Sequence, residues 1–95
     1  MGSPDSQTVN PAVEAAKQAA SAHLRAERAR MGLKQSDLAE RTGLSNYTIA
    51  RLENGKQEMK LDHIVVLAQA FGVSMGQFLD DAQASMRKQP TRRDT

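Results

Sequence analysis

Four side chains within six residues have the chemistry to read a flat, hydrogen-bonding ligand. Asn46 carries a planar amide with donors and an acceptor, and Arg51 carries a planar fork of donors. Asn can bond adenine N6 and N7 together, and Arg can do the same at guanine O6 and N7. Tyr47 suits a thymine methyl or a phosphate oxygen, and Ala50 leaves room for close approach. On a helix whose inward stripe is Ile49 and Leu52, all four face outward. The bland alternative is a solvated helix face, which an exposed Tyr makes less comfortable in a chain with three aromatic residues. Groups suited to phosphate flank the stretch: Gln35 at a helix start with unpaired N–H groups, Ser45 as an N-cap, then Asn54 and Lys56. Lys34, Lys60 and Arg41 are weaker members of that set.

The elements that must position these groups are legible upstream and downstream. Gln35 to Leu52 reads as two short helices and a tight turn. Leu38, Ala39 and Thr42 form the inward face of the first helix. Gly43 supplies the positive φ of the turn, Leu44 is apolar, and Ser45 caps the second helix. Counted from Gln35, a small residue at position five, Gly at nine and Ile at fifteen make the helix-turn-helix pattern.

Asn10-Pro11 starts a helix, with Asn as N-cap and Pro at the first helical position. The Ala-rich run to about Arg30 has high helix propensity. Val13, Ala16, Ala20, Leu24 and Met31 give it a narrow apolar stripe. Its first half is weakly apolar and is expected to project or to meet a second subunit. Arg28 lies on or beside the stripe, either as a snorkelling side chain or paired with a core-side carboxylate, for which Glu53 is the best candidate. Leu61, Ile64, Val65, Leu67, Ala68 and Phe71 make a broad inward face on a later helix, the expected centre of the core. Ser74 with Gln77 reads as a capping box, and Met75, Phe78, Leu79, Ala82 and Met86 carry an apolar stripe to about Lys88. Residues 1–9 and the basic end 89–95 read as flexible flanks of a 10–88 domain. The count is five helices and no convincing strand, hence an all-α bundle.

Composition narrows the functional classes. Ninety-five residues make one small domain. There is no Cys, so disulfides and thiolate metal sites are excluded. His23 and His63 lack metal-ligand spacing, and no nucleophile triad or Gly-rich phosphate loop is suggested, so no metal, cofactor or enzymatic role is expected. No apolar run approaches the length of about 20 residues that spans a membrane, and a cytoplasmic location is expected. The net charge of +2 permits nucleic-acid binding without arguing for it.

From about Leu24 to Leu79 the chain resembles the Cro/C1-type (XRE) helix-turn-helix family. The resemblance is carried by Gly32-Leu33-x-Gln35, Leu38-Ala39, Thr42-Gly43-Leu44-Ser45, Ile49, Leu52-Glu53-Asn54-Gly55-Lys56, Leu61 through Val73, and Phe78-Leu79. It implies a compact five-helix, lambda-repressor-like DNA-binding domain whose third helix enters the major groove, and it favours an Arg28–Glu53 pair. The chain departs from the family pattern at Lys34 and Lys60, where relatives often place a capping Ser or Thr. A lysine there costs about 1 kcal/mol of capping while adding a cation near the ligand. The first helix also starts earlier, and the last runs later, than a minimal domain needs.

The implied function is a sequence-specific DNA-binding regulator, a repressor that binds a pseudo-palindromic operator as a homodimer. The expected dimer surface is Phe78, Ala82 and Met86, for which intramolecular packing is the alternative. The competing function is an antitoxin-type regulator that holds a partner protein on another surface.

Overall fold

The computed structural model describes residues 10–88, and the flanks 1–9 and 89–95 lie outside the described residues. Five helices follow one another: α1 (Pro11–Arg30), α2 (Gln35–Thr42), α3 (Asn46–Glu53), α4 (Leu61–Phe71) and α5 (Met75–Lys88). No strand occurs among the described residues. α1 lies along α5, α2 crosses α3, and α4 closes against α2 and α5, while α1 also touches α3.

Local chemistry sets each boundary. Asn10 Oδ1 accepts from the Ala12 N–H at 2.8 Å and Pro11 opens α1. Ser45 Oγ accepts from the Thr48 N–H at 3.0 Å to start α3. Lys34 and Lys60 offer no acceptor of their own, and only the return half of each cap is present. Asp37 Oδ2 accepts from the Lys34 N–H at 2.8 Å, and His63 Nδ1 accepts from the Lys60 N–H at 3.0 Å. At Ser74 the opposite half forms. Its Oγ accepts from the Gln77 N–H at 3.0 Å, but the Gln77 side chain turns to Asp81, so the reciprocal box expected there is not closed.

The α2–α3 turn depends on Gly43, whose φ is +81°. Thr42 stiffens the same turn: its hydroxyl donates to Leu38 O at 2.8 Å and accepts from the Leu44 N–H at 3.1 Å. A Cβ at Gly43 would meet no heavy atom within 4 Å, so a substitution there strains the backbone alone. Gly43→Ala is therefore expected to cost about 1–2 kcal/mol and to lower the melting temperature by about 4–8 °C for each kcal/mol. Thermal unfolding measures it, and an unchanged midpoint would show that the turn tolerates another geometry.

Leu24, Leu38, Ile49, Leu52, Leu67, Ala68, Phe71 and Phe78 form the core, with Met31, Leu33, Ala39, Leu44 and Ile64 packed around it. One expectation fails here. Leu61 is 64% exposed. It opens α4, and a helical Cα–Cβ bond leans toward the N-terminus, so its side chain points over the preceding loop. Val13 and Ala16 are exposed too, and the buried stripe of α1 begins only at Ala19. The first turns of α1 project from the bundle, and Ala12 and Ala16 face α5 only across an open groove.

Phe78 also differs from expectation. It is fully buried, edge-on to the His23 ring at 5.1 Å between centroids and stacked on Phe71 at 6.2 Å. Ala82 is buried as well, and Met86 is half-buried. Phe78 thus joins α5 to the protein's own core and presents no surface to a second subunit.

Candidate nucleic-acid interface

α3 has one face in the core and one in solvent. Ile49 and Leu52 are fully buried and anchor its inner face. Its outer face begins at the first turn, where Asn46 and Tyr47 are exposed, Tyr47 by 70%. Ala50 is half-buried between the two faces.

The C-terminal end of α3 is tied to α1 and α2 through one carboxylate. Glu53 is 2% exposed. Its Oε2 accepts from Arg28 Nε at 2.5 Å, and its Oε1 accepts from Arg28 Nη2 and Gln35 Nε2, both at 3.1 Å. Arg28 Nη1 donates to Leu33 O at 2.7 Å. Arg25 Nη1 donates to the Glu53 carbonyl at 2.6 Å, filling an orphan acceptor at the helix end with a cation that also suits the dipole. The hydrogen bonds to Glu53 raise the Arg28 pKa above its already high ordinary value. Arg28 is therefore cationic at any working pH, and neither snorkelling nor a free solvated head describes it.

This network moves Gln35 out of its expected role. The residue is half-buried and its amide N–H is committed to Glu53. Gln35 thus fixes the start of α2 beside the end of α3. Ser45 is also engaged, because its hydroxyl donates to Thr48 Oγ1 at 3.0 Å while capping the Thr48 N–H. Lys34, Asn54, Lys56 and Lys60 remain exposed.

Arg51 departs furthest from a free-standing base reader. Its Nε donates to Gln57 Oε1 at 3.1 Å, its Nη2 donates to Lys56 O at 2.7 Å, and its guanidinium sits 5.4 Å from the Tyr47 ring centroid. Gln57 did not stand out in the sequence. Its polar type six residues after Arg51 carries no pattern, and only the reversal of the chain after α3 brings the two together.

The two histidines lie in different surroundings. His23 packs on Phe78 and His63 caps α4. Among the described residues, no group of three His, Cys, Asp or Glu residues is placed to hold an ion. No helix among them is long and apolar enough to cross a membrane.

Comparison with known proteins agrees with this architecture. The helix-turn-helix family model matches residues 24–78. Two crystal structures of the clp gene regulator ClgR from Corynebacterium glutamicum are similar to the chain. One is 30% identical, with 76% of this chain and 77% of that chain covered at a TM-score of 0.68. The other is 31% identical, with 78% of this chain and 96% of that chain covered at a TM-score of 0.68. No curated protein matches the chain at a significant level. With more than half its length matched, and with the α2–α3 unit built as that motif requires, the chain belongs to the Cro/C1-type (XRE) helix-turn-helix family of DNA-binding transcriptional regulators.

Proposed function

We propose that the protein is a sequence-specific repressor that binds a pseudo-palindromic operator as a homodimer in the cytoplasm. The observation that carries this reading is the exposed first turn of α3, where Asn46 and Tyr47 stand clear of a helix whose other side is fully anchored. The first turn of a recognition helix enters the major groove most deeply. Asn46 and Tyr47 are the base readers, and Ala50 lets the helix approach. Lys34, Asn54, Lys56 and Lys60 meet phosphates on either side of the groove. Gln35 and Ser45 support this set through their backbone and caps. A bound domain that overlapped a promoter would occlude it from polymerase, and repression is the sign of regulation proposed.

One module covers too little DNA for selective binding. A single small domain buries roughly 600–1,000 Å², whereas specific complexes bury about 1,000–2,500 Å². Two copies on half-sites about 34 Å apart supply the difference. With Phe78 withdrawn into the core, the dimer surface is the open groove between α1 and α5. It holds about 340 Å³ and is lined by Ala12, Ala16, Ala19, Ala20, Leu79, Ala82, Gln83 and Met86. Val13 and Leu79, 48% and 43% exposed, project beside it.

Selection of binding sites from random DNA tests the proposal. Enrichment of a symmetric site is the expected result, and Asn46→Ala is expected to lose about 1–3 kcal/mol at one half-site position while thermal stability is unchanged. If no sequence is enriched over the starting pool, the protein is not a sequence-specific binder.

A further inference from the structure

We propose that Arg51 is a positioning residue for Tyr47: the loop after α3 holds the Arg51 guanidinium against the Tyr47 ring, and the ring is thereby presented to DNA in one orientation. The inference rests on the DNA-binding reading above, and it gives Arg51 and Gln57 a role inside the protein rather than on the ligand.

The contacts begin in the loop. Gly55 takes a φ of +68°, and the chain reverses there. The Lys56 N–H then donates to Arg51 O at 2.8 Å, which ties the loop to the last turn of α3. The same reversal carries two acceptors back to the Arg51 side chain. Nε donates to Gln57 Oε1 at 3.1 Å, and Nη2 donates to Lys56 O at 2.7 Å. Nε and Nη2 lie along one edge of a planar group, so two bonds on that edge set the plane of the guanidinium as well as its place.

Tyr47 lies one turn back on the same face of α3, four residues before Arg51. The Arg51 Cζ is 5.4 Å from its ring centroid, within the range at which a cation is drawn to an aromatic face. On an isolated helix such a pair would be loose, because both side chains lose rotamer freedom when they meet. Here one member is already tied. Arg51 is half-buried and bonded to the loop, while Tyr47 is 70% exposed. The exposed ring therefore leans on a cation that is anchored elsewhere. A ring ordered before binding need not be ordered on the DNA, and the entropy saved appears as affinity. Its orientation also decides which groove atoms its edge and hydroxyl meet, so the saving depends on sequence.

Tyr47 is the single tyrosine of a chain without tryptophan, so intrinsic fluorescence reports its ring directly. The experiment measures the anisotropy decay of Tyr47 in the full chain for the wild type, Gln57→Ala, Arg51→Ala and Arg51→Lys, with circular dichroism monitoring the fold. Both alanine variants are expected to add a fast component of ring motion, larger for Arg51→Ala. Gln57→Ala is the decisive variant, because it removes an anchor of Arg51 and leaves the ring and the charge in place. Lysine keeps the charge but lacks the planar edge, so Arg51→Lys should not restore the slow decay. Affinity for the selected site is then compared in a double-mutant cycle of Arg51→Ala and Tyr47→Ala. Arg51→Ala is expected to lose about twofold to fivefold when Tyr47 is present, the size of an exposed cation–π contact, and nothing measurable in the Tyr47→Ala background. An equal loss in both backgrounds, or ring motion unchanged in Gln57→Ala and Arg51→Ala, would overturn the positioning role. If the wild type binds no duplex, the DNA-binding reading falls instead, and the anisotropy decay still decides whether the loop holds Arg51 on Tyr47.

Discussion

Replacing Glu53 with Ala is expected to destabilise the protein by about 3–5 kcal/mol, the cost of removing one partner from a buried ion pair. Small domains are stable by only about 5–15 kcal/mol, so the variant should melt some tens of degrees lower or fail to accumulate folded. The size follows from what Glu53 joins. Its carboxylate is 2% exposed and accepts from Arg28 twice and from Gln35 once. Its loss leaves a guanidinium in a half-buried site with only Leu33 O as partner, and it frees the starts of α2 and the end of α3 from each other. The Arg25 bond to the Glu53 carbonyl survives the substitution, because it is made to the backbone. The paired change Arg28→Met with Glu53→Met removes both charges and keeps apolar volume, so it should recover most of the loss. Denaturant unfolding of the two variants decides the matter. A loss below about 1 kcal/mol for Glu53→Ala would mean that solvent screens the pair as it does a surface one.

Phe78→Ala is the second large effect, also about 3–5 kcal/mol. It is expected to lower stability without acting first on assembly. Phe78 is the largest fully buried side chain and stands between His23 of α1 and Phe71 of α4. Its removal opens a cavity where three helices meet. Leu79, its neighbour in sequence, should behave in the opposite way. Leu79→Glu alters an exposed side chain, so stability should move by less than about 0.5 kcal/mol while the dimer dissociates in light scattering. The two variants therefore separate core from interface. A folded, monomeric Phe78→Ala with an unchanged melting temperature would reverse the assignment. A wild type that is monomeric both free and on DNA would leave the α1–α5 groove to a partner protein, as the antitoxin-type reading requires.

The helix-turn-helix itself was open to reading because its determinants are local. Gly43 needs only its own φ, Ser45 only the Thr48 N–H, and Ile49 and Leu52 only the 3.6-residue period of one helix. The five helices and their order followed from similar signals, and the family comparison agrees with them. The residues offer Arg28 and Glu53 as a pair beside a snorkelling arginine, and the family resemblance favours the pair. From the residues alone, a snorkelling arginine was an equal description.

What the sequence by itself determined, then, was which side of each helix is apolar and where each helix begins and stops. Tertiary structure decided which apolar side chains find a partner and which polar ones are already spent. Leu61 and Val13 lie in apolar stripes yet stand in solvent, because no neighbouring helix reaches them. Phe78 and Leu79 share a stripe, but α1 and α4 enclose only Phe78. Gln35 and Arg51 have the chemistry of DNA contacts, yet Gln35 is bound to Glu53 and Arg51 to the loop that follows α3. Periodicity reports the direction of a side chain within its own helix. Its partners come from segments that the chain brings back in three dimensions, and on them depends whether a donor is left for DNA.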